Sequence, residues 1–219
     1  MIKADHKKWA RILFNFYIDK QFQKSFDHFY LINEPPSIDK SKGLVVTPNH
    51  FSWWDGFLID FVHRKYYGDR KFYILMLEDQ LKRYWFFRKL GAYSINLSNP
   101  KSIVKTFEYT REIISKEDAF VTIYPQGEML PFDTEPVVVK EGLLKLTERL
   151  NRESFVLPAA FKIQYNKEKK PDLYARFGEL IDVRTIQKNF DGFSKAFISN
   201  IKLCSQEAVE RKYVKDLLS

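Results

Sequence analysis

The feature that most constrains the fold is an alternation of two kinds of segment after residue 40. Short apolar runs rich in β-branched and aromatic residues predict strands, at Gly43–Thr47, Phe72–Leu77, Ala92–Ile95, Ala119–Tyr124, Phe155–Phe161 and Leu173–Phe177. Helical periodicity marks Trp53–Tyr66, Asp79–Leu90, Pro100–Ser115, Val138–Leu150 and the last 27 residues from Phe193. This alternation predicts an α/β fold, a single domain whose mixed, largely parallel sheet is flanked by helices.

Composition narrows the class of protein further. The 219 residues are 45% apolar, which is enough to bury one core and excludes a disordered or low-complexity chain. The net charge of +8 favours anionic partners such as nucleic acid, anionic lipid headgroups or phosphorylated cofactors, without choosing among them. The single cysteine, Cys204, excludes an internal disulfide and a multi-cysteine zinc site, which fits a reducing compartment.

The amino-terminal residues predict an amphipathic helix over Ala4–Lys24, within a segment 1–30 that precedes the α/β domain at 31–219. One stripe of this helix holds Trp9, Ile12, Leu13 and Phe16, widened by Ala10, Phe14 and Tyr17, and the opposite side holds Lys7, Lys8, Arg11 and Asn15. Two interpretations stay open, an interfacial membrane helix and a helix packed on the core. The chain shows no secretory signal and no apolar stretch of roughly 18 residues, so any membrane contact is expected to be peripheral.

A candidate catalytic pair lies in the loop after the strand at Gly43–Thr47. Reactive groups in α/β sheets collect beyond the carboxyl ends of strands. If a helix begins near Ser52, the Asp55 carboxylate can accept a hydrogen bond from His50 Nδ1–H and leave Nε2 as a base. An imidazole exchanges protons near neutral pH, and an adjacent carboxylate stabilises the cation that forms. The spacing alone is weakly specific, and the neighbouring residues supply the specificity.

The loop Asn49-His50-Phe51-Ser52-Trp53-Trp54-Asp55 resembles the first motif, Asn-His-x-Ser-x-x-Asp, of the glycerolipid acyltransferases that include the lysophosphatidate acyltransferases. The resemblance implies that His50 is the general base and Asp55 its orienting partner. It also implies that Asn49 and Ser52 contact substrate. The reaction implied is direct transfer of an acyl group from a thioester, with His50 removing the proton of an acceptor hydroxyl.

Three further motifs of that family are present in altered form between Lys42 and Leu180. Lys89–Leu97 looks like the second motif, with Asn96 and Leu97 in place of its acidic residue and Arg. The third motif, Phe-Pro-Glu-Gly-Thr-Arg-Ser, corresponds to residues 124–130, and Val156–Ala160 resembles the fourth. The substrate-binding residues implied by the third motif and the segment after it are Tyr124, Pro125, Gln126, Gly127, Glu128 and Lys140.

The altered positions bear on the acceptor. The Arg residues of the second and third motifs are associated with the acceptor's phosphate in that family, and Leu97 and Met129 cannot replace them. We therefore expect a lipid-like acceptor other than lysophosphatidate, without a phosphate monoester at its reacting end. A rival interpretation is a lysophospholipid acyltransferase whose phosphate contacts come from Arg83, Arg88 or Lys140. Glu128 is interpreted either as a substrate contact or as a solvated charge.

The resemblance implies acyl-CoA or an acylated carrier protein as donor, with the thioester as cosubstrate and no cofactor or metal. Backbone N–H groups near Gly127 or the helix start are candidate oxyanion donors. The four histidines have no metal-ligand spacing, and no nucleic-acid motif accompanies the charge, so no nucleic-acid partner is expected. The expected location is cytoplasmic, peripheral on the inner face of the cell membrane. A tailoring acyltransferase for a pigment or glycolipid and a catalytically idle lipid or carrier-binding protein remain alternatives.

Overall fold

The computed structural model describes residues 1–116, 118–150 and 153–219. Its helices are α1 Lys8–Ser25, α2 Asp55–Tyr66, α3 Glu78–Arg83, α4 Pro100–Ser115, α5 Gly142–Thr147, α6 Val183–Lys188 and α7 Phe190–Val209, with a 3₁₀ helix at Trp85–Leu90. Its strands are β1 Phe29–Leu31, β2 Gly43–Pro48, β3 Lys71–Leu77, β4 Ala92–Ile95, β5 Ala119–Thr122, β6 Ser154–Gln164, β7 Asp172–Phe177, β8 Ile181–Asp182 and β9 Lys215–Asp216.

The strands of the described residues form one mixed sheet in the order β4-β3-β5-β2-β6-β7-β1-β9, with β8 paired to β6. The five strands from β4 to β6 in this order are parallel, and β1 is parallel to β7. The pairs β6–β7, β6–β8 and β1–β9 are antiparallel. The largely parallel sheet expected from the alternation of segments is confirmed. Because β2 and β5 are parallel neighbours, the loops that follow them meet at one edge of the sheet.

Two apolar layers cover the two faces of the sheet, because successive strand residues point to opposite sides. Leu44 and Val46 pack in the layer that contains α1 and α2, whereas Val45 packs in the layer that contains α4 and α7. The buried side of α1 is a row spaced by four residues, at Ala10, Phe14, Ile18 and Phe22. This helix therefore contributes directly to the core.

The amino-terminal helix begins later than predicted, at Lys8 rather than Ala4. The preceding residues are extended along the edge of the sheet beside β4, where Ile2 N–H donates to Ser94 Oγ and Ser94 N–H donates to the Ile2 carbonyl. The edge strand satisfies backbone groups that a helix would otherwise satisfy. No helix in the described part of the chain is long and apolar enough to span a membrane.

The prediction of one helix over Asp79–Leu90 was wrong, because the chain forms α3 and then the 3₁₀ helix, with a break at Tyr84. The aromatic run after the break packs on other elements. Phe86 contacts Trp9 of α1, and Phe87 contacts Phe57 of α2. These tertiary contacts override the local helical preference.

The prediction of a helix over Val138–Leu150 was also partly wrong, since α5 begins only at Gly142. Three consecutive valines, Val137 to Val139, are β-branched and poor helix formers. In addition, Lys140 N–H donates to the Pro125 carbonyl at 2.9 Å, which ties this segment to the loop after β5. The segment is therefore held in an irregular conformation beside the candidate site.

The predicted terminal helix does not reach the end of the chain. Helix α7 ends at Val209, and the chain then reverses, with Arg211 at φ 55°. Strand β9 follows and pairs with β1, so the last residues close an edge of the sheet. His28 Nδ1 lies 2.7 Å from Asp216 Oδ2, and this hydrogen bond holds β9 against the residues that precede β1. Pairing with the edge strand β1 satisfies backbone groups of these residues, so they form a strand although their local pattern is helical.

Candidate active site

The candidate base and its carboxylate are in hydrogen-bond contact. His50 lies in the loop after β2, and Asp55 is the first residue of α2. The distance from His50 Nδ1 to Asp55 Oδ2 is 2.8 Å. Since the carboxylate accepts from Nδ1–H, Nε2 is the nitrogen left to exchange a proton with a substrate. The His50 side chain is 23% exposed, whereas that of Asp55 is fully buried.

The Asp55 carboxylate is fixed by four hydrogen bonds from the turn that precedes it. Besides the imidazole, Oδ2 accepts from the backbone N–H groups of Phe51 at 2.6 Å and Ser52 at 2.9 Å. Oδ1 accepts from Ser52 Oγ at 2.9 Å, and that hydroxyl itself accepts from Trp54 N–H. A buried carboxylate with this many donors is held in one orientation. The sequence predicts Ser52 as a substrate contact, and the structure places its hydroxyl on Asp55.

The loop after β5 contributes an aromatic ring to the site. The Tyr124 ring stacks on the His50 imidazole, with centroids 4.2 Å apart and an interplanar angle of 21°. Burial, with a smaller contribution from the Asp55 charge, raises the pKa of Tyr124 well above its ordinary value. The phenol is therefore neutral at any physiological pH. Its hydroxyl is buried and has no hydrogen-bond partner among the described residues.

Two further residues that the sequence predicts as substrate contacts, Asn49 and Gln126, instead form hydrogen bonds with the backbone. Gln126 Oε1 accepts from His50 N–H at 2.6 Å, and this hydrogen bond connects the loop after β5 to the loop after β2 beside the imidazole. Asn49 is buried and pairs with the backbone of Phe161 in β6, accepting from its N–H at 2.8 Å and donating to its carbonyl at 3.0 Å. The structure thus brings Asn49 and Gln126 to the site through the backbone contacts that shape it.

The remaining residues of the third motif form a turn that is exposed from Gly127 to Met129. Gly127 has φ +73°, a left-handed conformation that favours glycine, and the Lys140 side chain passes over it so closely that it would have to shift to admit a Cβ. Lys140 Nζ lies 2.7 Å from Glu128 Oε1, and both side chains are about half exposed. Pro125 is buried, and its carbonyl accepts from Lys140 N–H. Gly127 N–H is itself bonded to the Tyr124 carbonyl.

The two positions where the family motifs have Arg present apolar side chains to solvent. Leu97 is 57% exposed and Met129 is 47% exposed. Of the basic residues considered as substitutes, Arg88 donates through Nε to the Lys3 carbonyl, and Arg83 lies over the Tyr84 ring at 5.3 Å. Tyr84 in turn contacts Trp53 of the motif loop. Arg83 is thus linked to the motif loop through Tyr84, and Lys140 is bonded to the loop after β5.

One part of the surroundings was missed at the level of sequence, an apolar groove of about 510 Å³ that we call the aromatic groove. It lies between α1, the motif loop and the 3₁₀ helix, and its lining is Leu13, Phe14, Tyr17, Ile18, Gln21, Trp53, Trp54, Phe57, Phe86 and Phe87. Trp53 and Trp54 connect it to the loop that carries His50. The tandem tryptophans inside the motif were the available signal. Among the described residues, no group of His, Cys, Asp or Glu could hold a metal ion.

Comparisons with known proteins identify the family of the chain and match its fold. A family model described as Acyltransferase matches residues 30–162, which include all four motif segments. The crystal structure of a 1-acyl-sn-glycerophosphate (LPA) acyltransferase from Thermotoga maritima matches the fold with a TM-score of 0.57 at 16% sequence identity. The match covers 91% of this chain and 79% of that one. No curated protein sequence matches this chain.

Proposed function

The chain belongs to the acyltransferase family, whose model spans more than half of it, and on that premise we propose that it transfers a fatty acyl group from a thioester to a hydroxyl of a lipid-like acceptor. The donor is acyl-CoA or an acylated carrier protein. The acceptor differs from lysophosphatidate. The observation that supports this proposal most directly is the 2.8 Å contact between His50 Nδ1 and a buried Asp55 carboxylate.

The proposed reaction uses the two residues in different roles. His50 Nε2 takes the proton of the acceptor hydroxyl as its oxygen attacks the thioester carbonyl carbon. Asp55 holds the ring and stabilises the imidazolium. When the tetrahedral intermediate collapses, the carbon–sulfur bond breaks and the imidazolium returns the proton to the thiolate. The products are an ester and a free thiol, with no acyl group attached to the protein at any stage.

The proposed acceptor follows from the charges around the site. Lys140 is already paired with Glu128, so an acceptor phosphate would have to compete with that carboxylate. Leu97 and Met129 supply no charge. Hydrogen bonds to charged groups contribute about 1.5–3 kcal/mol each, so two missing arginines would weaken phosphate capture by orders of magnitude. A hydroxyl-rich acceptor, such as a glyceride, glycolipid or pigment, suits this surface better.

One observation favours the second candidate, a lysophospholipid acyltransferase with rearranged phosphate contacts. The exposed Arg83 guanidinium stacks on Tyr84, whose ring contacts Trp53 at 5.1 Å between centroids. A shift of this side chain towards the motif loop would supply one charged fork for a phosphate. Turnover of lysophosphatidate in an acceptor assay tests this candidate.

We propose that the protein works while bound to a membrane surface, on the cytoplasmic side where its proposed donors occur. The outer side of α1 carries an exposed apolar surface, the α1 ridge, formed by Trp9, Ile12, Leu13, Phe16 and Tyr17. Each of these side chains is more than half exposed, while the opposite side of the helix is buried in the core. Exposed apolar surfaces of this kind mark interaction sites. The aromatic groove opens beside the α1 ridge, and we assign the acyl chain to it.

Release of free thiol from an acyl thioester tests the enzymatic proposal. Purified protein with a donor and a panel of acceptors is expected to release thiol and to form an ester visible by mass spectrometry. His50→Ala should lower the rate by about 10²–10⁴-fold, the range of general-base contributions. The matched control is His28→Ala, since His28 also contacts an aspartate, Asp216 at 2.7 Å, but lies outside the motif.

The acceptor panel separates the candidates. Turnover with glycerides or glycolipids and not with lysophosphatidate supports the leading proposal, and the reverse preference supports rearranged phosphate contacts. Equal thiol release by the wild type and His50→Ala would overturn the proposed mechanism. Tight binding of lipid or carrier protein without any turnover would identify a catalytically idle relative.

A further inference from the structure

A second groove, of about 920 Å³, lies on the other flank of α1 from the aromatic groove. We call it the basic groove. It is bounded by α1, the carboxyl-terminal end of α2 and the start of β3, and its lining includes eight Lys or Arg residues and one acidic residue, Asp19. The proposed acyl transfer uses none of these residues. A concave surface with this charge excess attracts anions.

The arginines of the basic groove form its frame. Arg11 donates to the Leu90 carbonyl and bonds to Asp60, and Arg64 contacts Asp19 at 2.7 Å. Arg70 is buried and donates to backbone carbonyls, among them that of Asp39 at 2.8 Å. These guanidinium groups hold α1, α2 and the loop before β2 together. Their charges remain near the groove, but their donors are engaged in the fold.

Three lysines supply mobile charge at the same place. Lys8, Lys65 and Lys71 are exposed and line the basic groove. Within the part of the chain that the structure describes, none of them forms an ion pair with a carboxylate. Lys65 Nζ lies 5.5 Å from the centre of the Phe61 ring, and Lys71 Nζ lies 5.8 Å from that of Tyr73. Their ammonium groups are therefore available to an anion from outside the chain.

The position of the basic groove indicates the source of that anion. Ile12 belongs both to the α1 ridge and to the lining of the groove. If the α1 ridge enters the boundary of a bilayer, the groove beside it lies at the depth of the lipid headgroups. Basic residues at this depth attract anionic lipids, by about 1 kcal/mol for each Lys or Arg near the surface. An acidic carrier protein would match the charge of the groove but would leave the neighbouring α1 ridge without an apolar partner.

The groove is also separated from the reacting centre. Lys71 begins β3, and β3 and β2 both run parallel to β5. The start of β3 therefore lies at the amino edge of the sheet, whereas His50 follows the carboxyl end of β2. A lipid bound in the basic groove would not present its hydroxyls to the imidazole.

We propose that the basic groove binds the phosphate headgroup of an anionic membrane lipid that is not a substrate, and so fixes the orientation of the protein on the bilayer. This inference rests on the proposed membrane association. The bound lipid positions the aromatic groove and the motif loop towards the membrane. Association is therefore stronger on anionic than on zwitterionic membranes, through the groove lysines.

Co-sedimentation with two kinds of vesicle tests the proposal, using phosphatidylcholine alone and phosphatidylcholine with phosphatidylglycerol. The triple variant Lys8→Gln/Lys65→Gln/Lys71→Gln is expected to bind the anionic vesicles at least about tenfold more weakly and the zwitterionic vesicles unchanged. The control Lys101→Gln/Lys105→Gln/Lys169→Gln removes the same charge from exposed lysines on α4 and in the β6–β7 connection. It should bind like the wild type.

A ridge variant, Ile12→Ser/Leu13→Ser/Phe16→Ser, separates this inference from the one it rests on. If the ridge variant binds both kinds of vesicle like the wild type, the proposed membrane association fails. If the ridge variant is impaired but the groove variant binds anionic vesicles like the wild type, the groove proposal alone is overturned.

Two further arms test the source of the anion. Calorimetric binding of inorganic phosphate by the wild type, lost in the groove variant while vesicle binding is unchanged, would assign the groove to a soluble phosphate and overturn the lipid proposal. Loss of acyl carrier protein binding in the groove variant, again with unchanged vesicle binding, would overturn it in favour of a protein partner. Matching near-ultraviolet circular dichroism of all variants confirms that each is folded.

Discussion

The Tyr124 ring lies almost flat against the His50 imidazole, with ring centroids 4.2 Å apart. The imidazole is thus constrained from two directions, since the Asp55 carboxylate fixes Nδ1 in the ring plane and the phenol ring limits rotation out of it. Preorganisation of this kind preserves the geometry that proton transfer needs. One constraint comes from the first residue of α2, which follows the loop after β2, and the other from the loop after β5, the parallel neighbour of β2.

The contribution of the stacked ring can be separated from that of its hydroxyl. Tyr124→Phe keeps the ring and removes a buried hydroxyl without a partner among the described residues, so it should retain turnover and raise the free energy of unfolding by about 1 kcal/mol. Tyr124→Leu removes the ring and should lower kcat about tenfold or more. Steady-state kinetics and chemical denaturation measure both effects.

Tyr93→Phe is the matched control for stability, because the buried Tyr93 hydroxyl does pair, with Thr110 Oγ1 at 2.9 Å. It should lower the free energy of unfolding by about 1 kcal/mol. A loss of kcat in Tyr124→Phe equal to that in Tyr124→Leu would show that the hydroxyl takes part in the reaction.

Ser52 should act through Asp55. Ser52→Ala removes the 2.9 Å hydrogen bond to Asp55 Oδ1, which leaves the carboxylate less constrained. We expect kcat to fall about tenfold with little change in KM, and Ser52→Thr to restore most of the rate. A raised KM with unchanged kcat would instead indicate the substrate contact that the sequence motif predicts for Ser52.

Restoring the family's residues in the third motif should change acceptor preference. Glu128→Thr/Met129→Arg removes the carboxylate that pairs with Lys140 and introduces a guanidinium at an exposed position. We expect the relative kcat/KM for lysophosphatidate to rise at least about tenfold, the lower end of a charged hydrogen bond's contribution. Competition assays with two acceptors measure this ratio.

Glu128→Thr/Met129→Gln is the control for that experiment, since it removes the carboxylate that pairs with Lys140 without adding a guanidinium group. It should give a smaller increase. Both variants should keep the stability of the wild type within about 0.5 kcal/mol, because the exchanged side chains are exposed. No change of preference in either variant would remove the charge argument for the acceptor.

A buried histidine should make stability depend on pH. Burial lowers the pKa of His63 from 6.5 to about 4, and its Nε2 lies 2.6 Å from the Arg70 carbonyl. Between these two values the unfolded chain binds a proton that the folded chain does not. The stabilisation is therefore complete above pH 6.5 and is lost as the pH falls towards 4, by about 3 kcal/mol in total.

Urea denaturation of the wild type and His63→Gln across this range measures the effect. The difference in the free energy of unfolding between the two proteins should shrink as the pH falls, because the variant has no imidazole to protonate. Parallel curves between pH 7 and pH 4 would show that His63 does not titrate as its burial predicts.

The sequence predicted those parts of the fold and site that depend on short-range contacts. The periods at which apolar residues recur predicted the α/β class, because strands and helices have different periods. The contact between His50 and Asp55 could also be predicted from the sequence, because the two residues are only five positions apart. The roles proposed for them are those that the family resemblance implies.

Tertiary structure decided which apolar surfaces are buried and which backbone groups pair. Helix α1 has two apolar sides, and only its packing on α2 shows that Phe14 is core while Leu13 is exposed. Asn49 meets the Phe161 backbone across 112 positions, and the last residues leave the helix to pair with β1. Local periodicity reports what an element can bury, but its partner is selected by the free energy of long-range packing and edge pairing. That selection placed the aromatic groove and the basic groove on the two flanks of one helix.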